Sequence, residues 1–202
     1  PLMRQLLKQQ GLPQDLVYVA MVESAFKSRA HSRKAAHGFW QFIEDTGRRY
    51  GLRQSRDLDE RRDPVKSTLA AAAYFKDLYE MFGDWNLAMA AYNCGPGCVD
   101  RAIQRTGFAD FWQLRRLNVL PKETANYVPA ILAMTIIGKN AKDYGLDDLE
   151  LEQPLAYDTI ELETPTHLAL IADAMDRPLA ELKELNPAIL RSVAPAGTAL
   201  HV

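Results

Sequence analysis

Leu16-Val17-Tyr18-Val19-Ala20-Met21-Val22-Glu23 is the stretch on which the fold turns. Every side chain from Leu16 to Val22 is apolar or aromatic, so a helix built from it is buried nearly all round rather than amphipathic. Pro13 stands just upstream, where a proline can open the helix. Outward from this segment, residues 1 to about 150 read as helix after helix. Asp63-Pro64 is an N-cap followed by proline at the first helical position, and it introduces the alanine-rich run Thr68 to Phe82. Asp84 can cap the next helix, which carries Leu87, Met89 and Ala90 and stops at Gly95. Pro121 can open another, with Tyr127, Ile131, Leu132 and Ile136 at helical spacing. Pro129 falls inside that segment and either kinks it or marks its true start. No alternating strand pattern competes, so the first 150 residues form a mainly α domain.

The texture changes near Pro154. Tyr157–Leu162 and Ala199–Val202 are strand candidates, and Pro165–Met175 and Pro178–Leu185 are short helices, the second ended by Asn186-Pro187. Strand, helix, helix, strand in under fifty residues is a small α+β module of its own. The expected domains are therefore 1–150 and 154–202, with the boundary at Glu150 to Pro154.

Composition sets further limits. Of 202 residues, 48% are hydrophobic and 25% charged, the make-up of a globular chain with a real core. A net charge of -2 carries no electrostatic footprint for nucleic acid. Arg29, Arg33, Lys34, Arg48, Arg49 and Arg53 cluster modestly, which a solvated face explains before a binding patch does. The apolar run Ala130–Ile137 is far too short to span a membrane. The chain opens at Pro1 in mid-pattern, so an export signal or lipid anchor is expected outside it. Cys94 and Cys98 flank Gly95-Pro96-Gly97 and allow either a local disulfide or two partly buried thiols. The four histidines, His31, His37, His167 and His201, show no ligand spacing; His31 and His37 read as exposed loop residues, and no metal or cofactor is expected.

Glu23 continues the apolar series Leu16, Val19, Ala20. A glutamate there either ends the helix at the surface, where an arginine can pair with it, or faces a cleft. Apolar surroundings would hold its carboxyl protonated, as a general acid needs. Four sequence blocks accompany it in order: Glu23-Ser24-Ala25-Phe26; Gly38-Phe39-Trp40-Gln41-Phe42; Ala91-Tyr92-Asn93-Cys94-Gly95; and Leu120-Pro121-Lys122-Glu123-Thr124-Ala125-Asn126-Tyr127-Val128. With these blocks the chain resembles the lytic transglycosylases of glycoside hydrolase family 23, and within them the membrane-bound type D. The likeness covers residues 1 to about 145. More weakly, Leu179, Leu182, Leu185, Asn186 and Pro187 resemble the LysM-like segment that follows this domain in type D enzymes. The chain departs from the family pattern at Ala35-Ala36-His37-Gly38, at Ile43-Glu44 and at Cys98.

The resemblance implies a lysozyme-like helical domain, a peptidoglycan substrate, a cell-envelope location and a monomer that needs no cofactor. It implies cleavage of the β-1,4 bond between N-acetylmuramic acid and N-acetylglucosamine with a 1,6-anhydro product. One carboxylate, Glu23, would act as acid and then base, where glycosidases ordinarily use two. Ser32 and Gln41 would hydrogen-bond substrate or orient Glu23, Tyr92 and Asn93 would line the cleft opposite the catalytic helix, and Tyr127 would sit near the acid. Glu123 is either a substrate contact or a carboxylate favoured at a helix N-terminus. Tyr92 and Tyr127 are the better sugar-stacking candidates, while Phe39 and Trp40 read as core aromatics. A lysozyme-type hydrolase on the same fold and a non-catalytic glycan-binding protein are the alternatives.

Overall fold

A computed structural model describes residues 1–146, 148 and 157–202, so the expected boundary at Glu150 to Pro154 lies outside the described residues. Ten α-helices and four short strands occur among the described residues. They fall into two compact units. One comprises Pro1–Met3, Glu23–Ala70 and Glu152–Val202, the other Arg4–Val22 and Ala71–Leu151.

The second unit is all-helical. It contains most of α1 (Leu2–Gln9), the body of α2 (Val17–Ser24) and the C-terminal part of α4 (Pro64–Phe82). α5 (Trp85–Cys94), α6 (Pro96–Thr106), α7 (Phe111–Arg116) and α8 (Lys122–Lys139) complete it. α5 packs on α6, α7 and α8, and its residues Leu87, Ala88, Met89, Ala90 and Ala91 are all buried. Asp84 accepts from the Leu87 N–H at 2.9 Å, the expected cap. Gly95, at φ 88°, ends α5 and lets Pro96 start α6 at once. Cys94 and Cys98 are joined in a disulfide across this junction, with Cα atoms 5.9 Å apart. That resolves the choice the sequence left open.

α8 begins at Lys122 and runs through Pro129. The proline is therefore interior, and the alternative that it marks the helix start is not met. Its missing N–H would have bonded the Ala125 carbonyl four residues back. Arg115 on α7 supplies that bond instead, its Nε donating to Ala125 O at 2.8 Å. Near the other end, a Cβ on Gly138 would lie 2.1 Å from the Tyr18 hydroxyl, so only glycine lets α8 approach α2 there.

The first unit contains a loop-rich segment, Ala25 to Asp63, interrupted by α3 (Glu44–Arg49). Trp40 is fully buried, its indole N–H donating to Thr68 Oγ1 at 3.0 Å. Asp63 caps α4, accepting from the Val65 and Lys66 amides at 2.9 and 2.7 Å. The rest of this unit is the C-terminal module. β1 (Thr159–Leu162) pairs antiparallel with β4 (Thr198–His201), with α9 (Leu168–Ala174) and α10 (Leu179–Leu185) between them in sequence. Leu162, Leu168, Ile171, Ala172, Leu182, Ala194 and Leu200 form its core. The expected strand, helix, helix, strand order holds. A second, two-residue pairing escaped the sequence reading: β2 (Thr166–His167) against β3 (Val193–Ala194).

Candidate active site

Glu23 is the penultimate residue of α2 and is half-buried. The helix stops abruptly after it, because Ala25 and Phe26 adopt left-handed φ values of 50° and 59°. Ser24 is buried, and its Oγ donates to Phe39 O at 2.8 Å. The helix end that carries Glu23 is thereby tied to the loop that carries Gln41.

That loop is strained in a specific way. Among the described residues, six non-glycines have positive φ, and four of them, Ala25, Phe26, Ala35 and Gln41, lie between positions 25 and 41. Such conformations are uncommon outside glycine and persist only where surrounding contacts hold them. The contacts are present. Ser32 Oγ accepts from the Lys34 and Ala36 amides at 3.2 and 3.1 Å. Gln41 Nε2 donates to Ala30 O at 3.2 Å and to Gly38 O at 2.9 Å. Both amide hydrogens of Gln41 are spent on the loop, which leaves Oε1 as the atom able to accept from a hydroxyl or a protonated carboxyl.

Beneath the loop lies a buried ion pair that sequence reasoning missed. Arg61 and Asp59, both buried, make two parallel bonds, Nε to Oδ1 at 2.8 Å and Nη2 to Oδ2 at 2.9 Å. Arg61 Nη1 donates to the carbonyls of Ala35 and Phe42, each at 3.2 Å. One guanidinium thus grips both ends of the Ala35–Phe42 loop. Gly38, at φ +81°, sits so close that a Cβ would lie 1.8 Å from Arg61 O.

His37 corrects an expectation. It is half-buried rather than exposed, bridged to both His31 and Phe42, with the His31 ring 4.4 Å away. Burial and the neighbouring Arg61 charge hold its pKa below the ordinary imidazole value. The contact of Arg62 Nη2 with its Nδ1 at 3.3 Å fits a neutral ring that accepts there.

In the second unit, the Tyr92 ring stacks on Phe75 at 4.6 Å, nearly parallel, with Tyr74 at 5.2 Å. Asn93 Oδ1 accepts from Thr124 Oγ1 at 2.8 Å, joining the Tyr-Asn block on α5 to the start of α8. Thr124 is buried and Glu123, beside it in the first turn, is exposed, a position the helix dipole favours for a carboxylate. Tyr127 is only 7% exposed, so its ring offers little face for a sugar to stack on. A cavity of about 610 Å³ lined by Arg115, Arg116, Asn118, Leu120, Lys122, Ala125 and Asn126 contains none of the sequence-predicted site residues. Ser24 and Thr124 were within reach of the sequence, since both stand inside the blocks that drew attention to their neighbours.

Residues 2–115 match the family model described as the transglycosylase SLT domain, more than half of the chain. The chain belongs to the SLT-domain family. Residues 156–201 of this SLT-domain chain match a second model, the LysM-like domain of lytic transglycosylase MltD. The chain is 40% identical to membrane-bound lytic murein transglycosylase D of Escherichia coli K12 over 201 residues, 97% of its own length and 44% of the relative's. Among solved structures it is similar to an inactive variant of lytic transglycosylase Slt from Pseudomonas aeruginosa, at 26% identity and TM-score 0.58, covering 72% of this chain and 24% of that one. The 70 kDa soluble lytic transglycosylase of Escherichia coli, at 23% identity and TM-score 0.59, covers 73% of this chain and 24% of its own and shares the fold. The mainly α, lysozyme-like domain with a small LysM-like module is thus the architecture of this chain.

Proposed function

We propose that the chain is a peptidoglycan lytic transglycosylase acting in the bacterial cell envelope, with residues 1–150 carrying the chemistry and 154–202 forming the LysM-like module. The observation that carries this reading is the anchoring of the Glu23 helix end: Ser24 bonds Phe39 O, and the adjoining loop holds Gln41 by two side-chain bonds. A helix end and an adjoining loop fixed in this way suit the preorganisation that acid–base chemistry requires, and a solvated helix end needs no such scaffold.

In this mechanism Glu23 first protonates the glycosidic oxygen between N-acetylmuramic acid and N-acetylglucosamine. The leaving sugar departs with the proton, and the substrate's own N-acetyl group supports the charge at the anomeric carbon. Glu23, now a carboxylate, takes the proton from the C6 hydroxyl, whose oxygen bonds the anomeric carbon. The product is a 1,6-anhydro sugar, Glu23 is again protonated, and no water is consumed. Ser32, Gln41, Tyr92, Asn93, Glu123 and Tyr127 are the proposed substrate-binding set. The matches to an SLT domain and to a murein transglycosylase support the substrate class.

Digestion of purified peptidoglycan by the protein and its Glu23→Gln variant, read by mass spectrometry, tests the proposal. Anhydro muropeptides, one water lighter than hydrolysis products and absent with the variant, are expected. Reducing-end products would replace this reading with a lysozyme-type hydrolase, and no products from either protein would overturn it in favour of a glycan-binding role.

A further inference from the structure

The C-terminal module is hydrogen-bonded into the segment that carries the Arg61 grip. The Asp59 N–H donates to Ala188 O at 2.8 Å and the Leu190 N–H donates to Asp57 O at 2.9 Å. Between these bonds Leu58, 4% exposed, forms an antiparallel bridge with Ile189. Arg53 Nη2 donates to Gly197 O at 2.8 Å, and His201 Nε2 lies 3.8 Å from Asp63 Oδ2, the carboxylate whose other oxygen caps α4. The Ala188 carbonyl and the Leu190 N–H are thus spent on the chain's own Asp57–Asp59 segment.

Asp59 belongs to two structures at once. Its backbone N–H is held by the module, while its carboxylate holds Arg61, which holds Ala35 O and Phe42 O. The Asp59–Arg61 bonds and the bond to Phe42 O are buried and the bond to Ala35 O is part-buried, so a shift of the module's loop is delivered to the Gln41 loop through close packing.

We propose that the LysM-like module is a positioning element of the reaction: through the Ala188–Asp59 bond and the Asp59–Arg61 pair it holds the Ala35–Phe42 loop in its working conformation. Asp59 and Arg61 are positioning residues, acting through Gln41. This rests on the reading of Glu23 and Gln41 as reaction machinery, and the test separates the two.

The module-side variant is Asn186→Ala in the full chain. Asn186 donates to Leu182 O and His201 O and accepts from His201 N, so it pins the loop that reaches Asp57–Asp59. The loop-side variant is Arg61→Lys, which keeps the charge and loses the forked grip. Amide hydrogen exchange over residues 35–42 reads the coupling directly, whatever the enzyme's activity. The second readout is turnover of soluble glycan strands, separated into kcat and KM. In both variants exchange at 35–42 is expected to accelerate on the order of tenfold or more, and kcat to fall by a similar factor with KM nearly unchanged. Exchange at the wild-type rate over 35–42 in Asn186→Ala overturns the proposal, as does a raised KM with kcat intact, which would make the module a substrate binder. If Asn186→Ala does not fold, Arg53→Gln removes the tie to Gly197 together with the Nε bond to Glu60. Glu60→Gln, which weakens the latter without touching the module, is its control, and the excess exchange in Arg53→Gln is read for the same two outcomes at smaller amplitude. Failure of the Glu23 reading would leave no turnover to compare, yet the exchange result would stand.

Discussion

Replacing Gly38 by alanine should be far more damaging than its chemistry suggests, and a second glycine supplies the control. Gly38 and Gly51 have nearly the same backbone angle, φ +81° and +83°. Alanine at either must hold a left-handed conformation, at a cost of about 1–2 kcal/mol. Gly51 has nothing within 4 Å of a new Cβ, so conformational strain is the whole of its cost. At Gly38 the Cβ would meet Arg61 O at 1.8 Å and Arg61 C at 2.6 Å, backbone atoms that no rotamer change can move. Relief requires separating the loop from Arg61, which breaks the grip on Ala35 O and Phe42 O and disturbs the buried pair with Asp59. Breaking a buried ion pair costs about 3–5 kcal/mol, so Gly38→Ala should lose roughly 4–7 kcal/mol against about 1–2 for Gly51→Ala. At about 2–4 °C per kcal/mol for a chain of this size, thermal unfolding should shift by several degrees for Gly51→Ala and by roughly 8–28 °C for Gly38→Ala. Muropeptide release should fall with Gly38→Ala and survive Gly51→Ala. Equal shifts for the two variants would refute the claim that Arg61 lies hard against the loop.

Thr124→Val keeps the shape of the side chain but removes the donor to Asn93 Oδ1; a loss of about 1–2 kcal/mol in denaturant unfolding is expected, with reduced muropeptide release. Trp40→Phe deletes the bond to Thr68 and leaves space in a fully buried site, for about 2–4 kcal/mol by the same measurement. Reduction of the Cys94–Cys98 disulfide, which closes a very short loop, should cost about 2 kcal/mol and lower the thermal midpoint by several degrees. His37 has its pKa depressed below 6.5 in the folded state, chiefly by burial and then by Arg61, so the unfolded chain binds the extra proton first. Its contribution to stability is complete above about pH 6.5 and is lost as pH falls through the folded value; His37→Gln should flatten the decline of the thermal midpoint between about pH 7 and 5, and an unchanged decline would count against the assignment.

The sequence made the helices readable because their boundaries are local chemistry. Asp63-Pro64, Asp84 and Gly95 act through bonds to residues one to four positions away, which a linear reading can foresee. Pro129 was harder, because its tolerance depends on Arg115, fourteen residues upstream, reaching the carbonyl that the proline orphans. Around the site, the blocks containing Glu23, Gln41, Tyr92 and Asn93 were legible, but what holds them was not. Asp59-Glu60-Arg61-Arg62-Asp63 looks in one dimension like a solvated charge run. In three dimensions Asp59, Glu60, Arg61 and Asp63 are all buried, each with partners distant in sequence or in kind. His37 was misplaced for the same reason: its burial comes from a bridge to Phe42 and from arginines 24 and 25 positions away.

Burying so many charges beneath one loop is an expensive way to gain stability alone, since each ion must be desolvated and an apolar core of equal volume often does as well or better. What the ionic arrangement provides that an apolar one does not is direction. Arg61 presents five N–H donors in a fixed plane, and four of its bonds fall on two carboxylate oxygens and two carbonyls at opposite ends of one loop. The loop so gripped holds Ala35 and Gln41 in backbone conformations that cost energy and would relax if released. Four bonds to one guanidinium can hold such strain in a way that non-directional packing cannot. The buried charges of residues 59–63 are therefore the structural counterpart of the strained residues at 35 and 41, and loss of either should be felt in geometry at Gln41 as well as in the stability of the chain.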